Sequence, residues 1–98
     1  MFVLELTYTV PEEQVDALLD AHVSWLDTHY AAGVFLASGR KVPRDGGIIL
    51  AVADSRAQVE ALAATDPFLV AKVAEYRITE FLATKTAPAL DAHRQSLA

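Results

Sequence analysis

Cysteine is absent from the 98 residues. That excludes a disulfide framework, a thiolate nucleophile and a cysteine-ligated metal. The absence is neutral about compartment and fits a reducing cytoplasm, the expected location. Positive charge is scarce: 8 Lys and Arg stand against 13 Asp and Glu, a net −5 with histidines neutral. Basic residues scattered over an acidic chain give no footprint for nucleic acid, and an anionic membrane surface would repel them. Long apolar runs are missing too, with nothing near the ~18–20 residues of a membrane span. Met1 to Thr7 has no basic leader and Glu5 interrupts its apolar run, so it does not read as a signal peptide.

What is present is a hydrophobic majority, 53% of residues, which excludes a disordered polymer. Eighteen of those residues are alanine, so the core of large side chains is smaller than the percentage implies. The length supplies one domain and rules out a second independent core. A short chain with a modest core often completes its burial against a partner subunit.

Phe2, Leu4, Leu6 and Tyr8 alternate with Val3, Glu5, Thr7 and Thr9, the period of a first strand. Thr9-Val10-Pro11-Glu12 fits a capping box, with Thr9 as N-cap. Pro11 suits a first helical turn, where its missing N–H costs nothing. Val15, Leu18, Leu19, His22, Leu26 and Tyr30 then recur at three- and four-residue steps. One helix is predicted over residues 11–32, stopped by Gly33. Residues 34–38 form a short second strand, and Asp45-Gly46-Gly47 supplies positive φ angles for a tight connection. Residues 48–53, apolar on both faces, read as a central third strand. Ser55-Arg56-Ala57-Gln58 opens a helix through Ala63. Asp66 caps and Pro67 starts a further helical turn. Residues 76–84 alternate as a fourth strand, and residues 85–98 form a tail with one weak helical turn at Pro88.

The order β-α-β-β-α-β predicts a ferredoxin-like α+β domain over residues 1–84. Both helices cover one face of a four-stranded antiparallel sheet. The other face, which includes Phe81, is left apolar and open, so a homodimer packed sheet to sheet is expected.

Four residues stand out for chemistry. His22 lies on the apolar stripe of the long helix. On a generic chain such a histidine is more often a core residue bonded to a backbone carbonyl, but its ordinary pKa also suits a general acid or base. Asp66 before Pro67 is what a helix start looks like; its carboxylate could also orient an imidazole, one oxygen capping while the other faces a pocket. Ser38-Gly39 is either a strand end or a pocket floor, with a hydroxyl and an approachable backbone beside a ligand. Arg40, Lys41 and Arg44 read as a solvated hairpin tip or, alternatively, as a source of attraction for an anionic substrate. His22 and His29 are seven residues and so about 10 Å apart along a helix, too far to share a zinc ion. His-Glu-x-x-His, Gly-x-Gly-x-x-Gly and phosphate-loop motifs are missing, so no cofactor and no metal are expected. Trp25 and Tyr30 read as packing residues, His29 and His93 as surface or tail residues.

Several of these pieces fall in one order. An aromatic-rich first strand is followed by Ala21-His22 with Leu26 in the helix and by Gly33 closing it. Ala37-Ser38-Gly39, Asp45-Gly46-Gly47 and Asp66-Pro67-Phe68 come after. In this the chain resembles the YciI-like proteins, the YCII-related domain, over roughly residues 1–84. The resemblance implies a ferredoxin-like fold that pairs into a dimeric α/β barrel. It also implies a pocket with a His–Asp pair, carried here by His22 and Asp66, with Ser38 nearby. A dehydrochlorinase related to the family, acting on a chlorinated muconolactone-type compound, implies proton transfer on small acidic organic molecules. The chain departs from the family after Gly39: members often continue with proline, whereas Arg40 and Lys41 follow here, so the pocket rim differs.

Three functions compete at this point. One is a cofactor-independent lyase or isomerase, with His22 and Asp66 catalytic and Ser38 and Gly39 binding a small organic acid or lactone-like substrate. A non-catalytic small-molecule-binding or regulatory module would use the same pocket. A structural dimerisation domain would pack His22 shut.

Overall fold

The computed structural model describes residues 1–97. Ala98, the last residue of the expected tail, lies outside them. Strand β1 (Phe2–Tyr8) is followed by helices α1 (Glu12–Asp16) and α2 (Leu19–Ala31), then β2 (Phe35–Arg40) and β3 (Gly46–Ala51). Helices α3 (Arg56–Ala63) and α4 (Pro67–Val70), strand β4 (Ala74–Glu80) and a 3₁₀ turn (Pro88–His93) complete the chain. The four strands form one antiparallel sheet in the order β2-β3-β1-β4. This is the ferredoxin-like α+β fold that the residue pattern predicts, with β3 in the interior of the sheet.

Period two sorts the side chains. Phe2, Leu4 and Leu6 of β1, with Ile49 and Ala51 of β3, are buried under the helices. Val15, Val59, Ala63 and Phe68 meet them from the helical layer. Their burial supplies the main driving force, roughly 1.5–3 kcal/mol for each large side chain. On the reverse face Val3 pairs in register with Leu50 and Thr79, and Glu5 pairs with Ile48 and Arg77. Ile48 and, just beyond β4, Phe81 are about 40% exposed there.

Four local expectations are corrected. The single helix over residues 11–32 is two helices, α1 and α2. At the break Leu18 has φ −108° and ψ 3°, and its N–H reaches only three residues back, to the Val15 carbonyl. A tightened turn of this kind keeps the three-to-four spacing of apolar residues, so periodicity does not reveal it. Thr9 is not the N-cap: Pro11 holds that position without a side-chain cap, because Thr9 Oγ1 donates to the Lys72 carbonyl and Glu12 pairs with Arg44. Both halves of the predicted box are claimed by distant partners. Gly46 and Gly47 do not take positive φ angles but lie inside β3, close against other backbone. The fourth strand ends at Glu80 rather than 84, although the Phe81 N–H still bonds the Met1 carbonyl.

Other local expectations hold. Gly33 closes α2 at φ 77°, with its N–H on the Tyr30 carbonyl. Ser55 Oγ accepts from the Gln58 N–H, while the Gln58 side chain accepts one residue further back, from the Asp54 N–H.

Candidate active site

The site begins as a helix cap. Asp66 is the N-cap of α4, and its Oδ1 accepts the Phe68 N–H at 2.9 Å. The same oxygen lies 2.8 Å from His22 Nδ1. Oδ2 accepts the Tyr76 hydroxyl at 2.5 Å. Asp66 is therefore a fully buried carboxylate fed by three donors from α2, α4 and β4. The expected division of labour, one oxygen on the cap and one facing a pocket, is not what the fold contains. One oxygen serves both cap and imidazole, and the carboxylate sits behind His22 rather than on a cavity.

His22 is itself 9% exposed. It packs parallel to Phe68, with ring centroids 4.0 Å apart and planes 4° apart, and Trp25 stacks at 5.7 Å. With Asp66 as the acceptor, Nδ1 carries a proton, and in the neutral ring the lone pair is then on Nε2. Nε2 has no hydrogen-bond partner among the described residues and is not sealed from solvent. His22 lines a cavity of about 240 Å³, together with Leu26, Ser38, Gly39, Arg40, Arg44 and Gly47 among others.

Register explains the lining. Ser38 and Arg40 stand two residues apart on β2, opposite Ile49 and Gly47, and so share the face that α2 covers. Three of the four candidate residues, His22, Ser38 and Gly39, thus reach one cavity, with Asp66 immediately behind His22. The Ser38 hydroxyl shares a 2.6 Å hydrogen bond with that of Tyr30. Tyr30 is thereby more than a packing residue. His29, expected at the surface, is half-buried against Trp25 and Phe35, and this desolvation holds its pKa below 6.5. His93 lines a separate hollow between α3 and the C-terminal turn.

Sequence reasoning missed Tyr76. Burial first, then the Asp66 charge and hydrogen bond, push its hydroxyl pKa far above the ordinary value, so it acts as a fixed donor. A tyrosine at an inward position of a strand is the one available signal, since a buried hydroxyl needs a partner. The three hairpin cations separate. Arg44 bonds Asp16 at 2.6 Å and Glu12 at 3.5 Å and lies 5.6 Å from the Tyr8 ring centre. That hydrogen bond holds the Asp16 carboxyl below 3.8. Lys41 meets Glu5, Thr7 and Asp45. Arg40 and Arg44 both line the cavity, and Arg44 Nε is buried with no hydrogen-bond partner.

A buried carboxylate holding an imidazole at the wall of a hollow is equipped to move a proton. Comparison with known proteins agrees with the architecture. No curated protein sequence matches the chain. Among solved structures, 5-chloro-2-hydroxyhydroquinone dehydrochlorinase from Burkholderia phenoliruptrix AC1100, in complex with 2,5-dihydroxybenzoquinone, is similar in fold. The likeness has a TM-score of 0.66 at 18% identity and covers 83% of this chain and 93% of that one. Among the described residues no helix is long and apolar enough to cross a membrane. The profile of the YCII-related domain matches residues 1–82, and the chain belongs to that family.

Proposed function

We propose that the protein is a cofactor-independent lyase or isomerase acting on a small organic acid or lactone-like molecule. The observation that carries this is the 2.8 Å contact between His22 Nδ1 and Asp66 Oδ1, with His22 among the residues that line a cavity. Nε2 takes a proton from a carbon beside a carbonyl. The C–H bonding pair forms a new C=C bond, and a leaving group departs with its own bonding pair. In the isomerase variant no group leaves and the proton returns to a different carbon. Asp66 holds the ring and stabilises the imidazolium, a contribution of about 10²–10⁴-fold for a positioned base. Ser38 and the Gly39 backbone hold the substrate at the wall. The likeness to a dehydrochlorinase, an enzyme whose name describes the loss of hydrogen and chlorine, supports the same chemistry class.

The test is solvent-deuterium exchange followed by NMR over a panel of small keto acids, halogenated acids and lactones. Protein-dependent deuterium uptake at the carbon beside the carbonyl is the expected result. Ligands that bind and raise the melting temperature with no exchange anywhere in the panel would make the protein a binding module instead.

The working form is proposed to be a cytoplasmic homodimer. Val3, Ile48, Leu50 and Phe81 give the open sheet face an apolar centre that a second copy would cover. Light scattering at micromolar concentration is expected to give twice the 10.6 kDa of one chain. A stable monomer would remove this part of the reading.

A further inference from the structure

We infer that Arg40 is the anion anchor of the cavity and that the molecule bound there carries a carboxylate beside its reacting carbon. Charge accounting among the described residues leads to this residue. Arg44 also lines the cavity, but its two terminal nitrogens are committed to Glu12 and Asp16 and it lies against the Tyr8 ring, which leaves only its buried Nε without a partner. Lys41 is held by Glu5 and Asp45, with Thr7 as a further partner. Arg40 lines the same cavity as His22, and among the described residues its side chain forms no ion pair or hydrogen bond. Asp16, the acidic group within its field, is already taken by Arg44.

The surroundings favour a ligand over a protein partner. Gly47 stands directly across the sheet from Arg40 and offers no side chain, and Gly39 precedes it. A planar guanidinium beside bare backbone presents a fork that matches a carboxylate in two parallel hydrogen bonds. Ser38, two residues back on the same face, lines the same cavity as Arg40 and His22. A bound acid would be held by its anionic end at the rim with its neighbouring C–H toward the imidazole. The direction of approach rests on the proton-transfer reading; the preference for a carboxylate does not.

Binding is measured without turnover, by NMR titration with benzoate and maleate against benzamide and maleamide, which match them in shape but lack the charge. The wild type is expected to favour the acids roughly tenfold, the equivalent of one charge-assisted contact. The preference is expected to weaken in high salt. R40Q abolishes it and leaves amide affinity unchanged, while R40K keeps part of it through charge without the fork. H22Q retains it, which separates the guanidinium from an imidazolium. Equal binding of acids and amides, no binding of either acid, persistence in R40Q or loss in H22Q would each overturn the assignment. Failure of deuterium exchange would leave it standing and would remove only the catalytic reading.

Discussion

Replacing His22 by glutamine is expected to lower solvent-deuterium exchange by about 10²–10⁴-fold, the contribution of a positioned general base. Glutamine keeps a polar group near Asp66 but cannot accept and release a proton at working pH. The loss should appear in the rate and leave binding of the anionic end intact. Asp66→Asn separates charge from geometry. An asparagine oxygen in the Oδ1 position can still accept from the Phe68 N–H and from His22 Nδ1, while its NH₂ donates to the Tyr76 oxygen. The cap and the tautomer survive, and only the negative charge opposite the imidazolium disappears. An intermediate loss is therefore expected, smaller than that of His22→Gln. Tyr76→Phe takes one donor from a carboxylate with no access to water, which costs about 1–3 kcal/mol in stability. Its rate should change little, because the contact to His22 remains. Urea unfolding and exchange rates measured on the same three variants check the series. A His22→Gln variant with the wild-type rate would end the proposed mechanism.

How far such a site can be read from residues alone depends on the range of the interactions. The two halves of the dyad each leave a local trace: His22 keeps helical spacing with Leu18 and Leu26, and Asp66 precedes a proline that starts a helix. Their meeting joins positions 44 residues apart and has no local trace. It was accessible only because the order of several short motifs resembles a family. Tyr76 shows the limit in another way. Its place in the alternation of β4 predicts an inward side chain correctly, but the position of its hydroxyl against Asp66 depends on how α4 lies over the sheet. Strand order follows from the β-α-β-β-α-β pattern because connection rules leave few arrangements. Strand ends do not: apolar residues continue to Ala83, yet pairing with β1 ends at its first residue, Phe2, with one further bond from the Phe81 N–H to the Met1 carbonyl. The hairpin cations divide for the same reason. Three basic residues within five positions look alike in sequence, and only the carboxylates brought from α1 and β1 decide which of them is left over.

Gly46→Ala is expected to produce the largest stability loss of any single methyl group added to this chain. A Cβ at that position would sit 1.7 Å from the Leu6 carbonyl oxygen, 2.7 Å from its carbon and 2.8 Å from Lys41 Cε. The lysine tip can move. The carbonyl cannot, because Leu6 lies in β1 between β3 and β4, paired with Gly47 on one side and Tyr76 on the other. Relief requires β3 to move away from β1 where Thr7 pairs with Gly46, opening the end of the ladder that joins the two inner strands. A cost of about 3 kcal/mol or more follows from overpacking against rigid backbone, a large share of the roughly 5–15 kcal/mol that holds a domain together. The other glycines calibrate the claim. Gly47 would bring its Cβ to 3.0 Å from the Gly39 carbonyl oxygen, so a smaller loss is expected. Gly33 has open space but a φ of 77°, so alanine there should cost about 1 kcal/mol. Gly39 has neither obstacle, and alanine should fall within about 0.5 kcal/mol of the wild type. Urea denaturation of the four variants should rank them in that order, and a Gly46→Ala protein as stable as Gly39→Ala would refute the steric account. The same absence of side chains serves the site. Gly39, Gly46 and Gly47 all border the cavity beside His22, so the close backbone approach that β3 requires is also what leaves the hollow open.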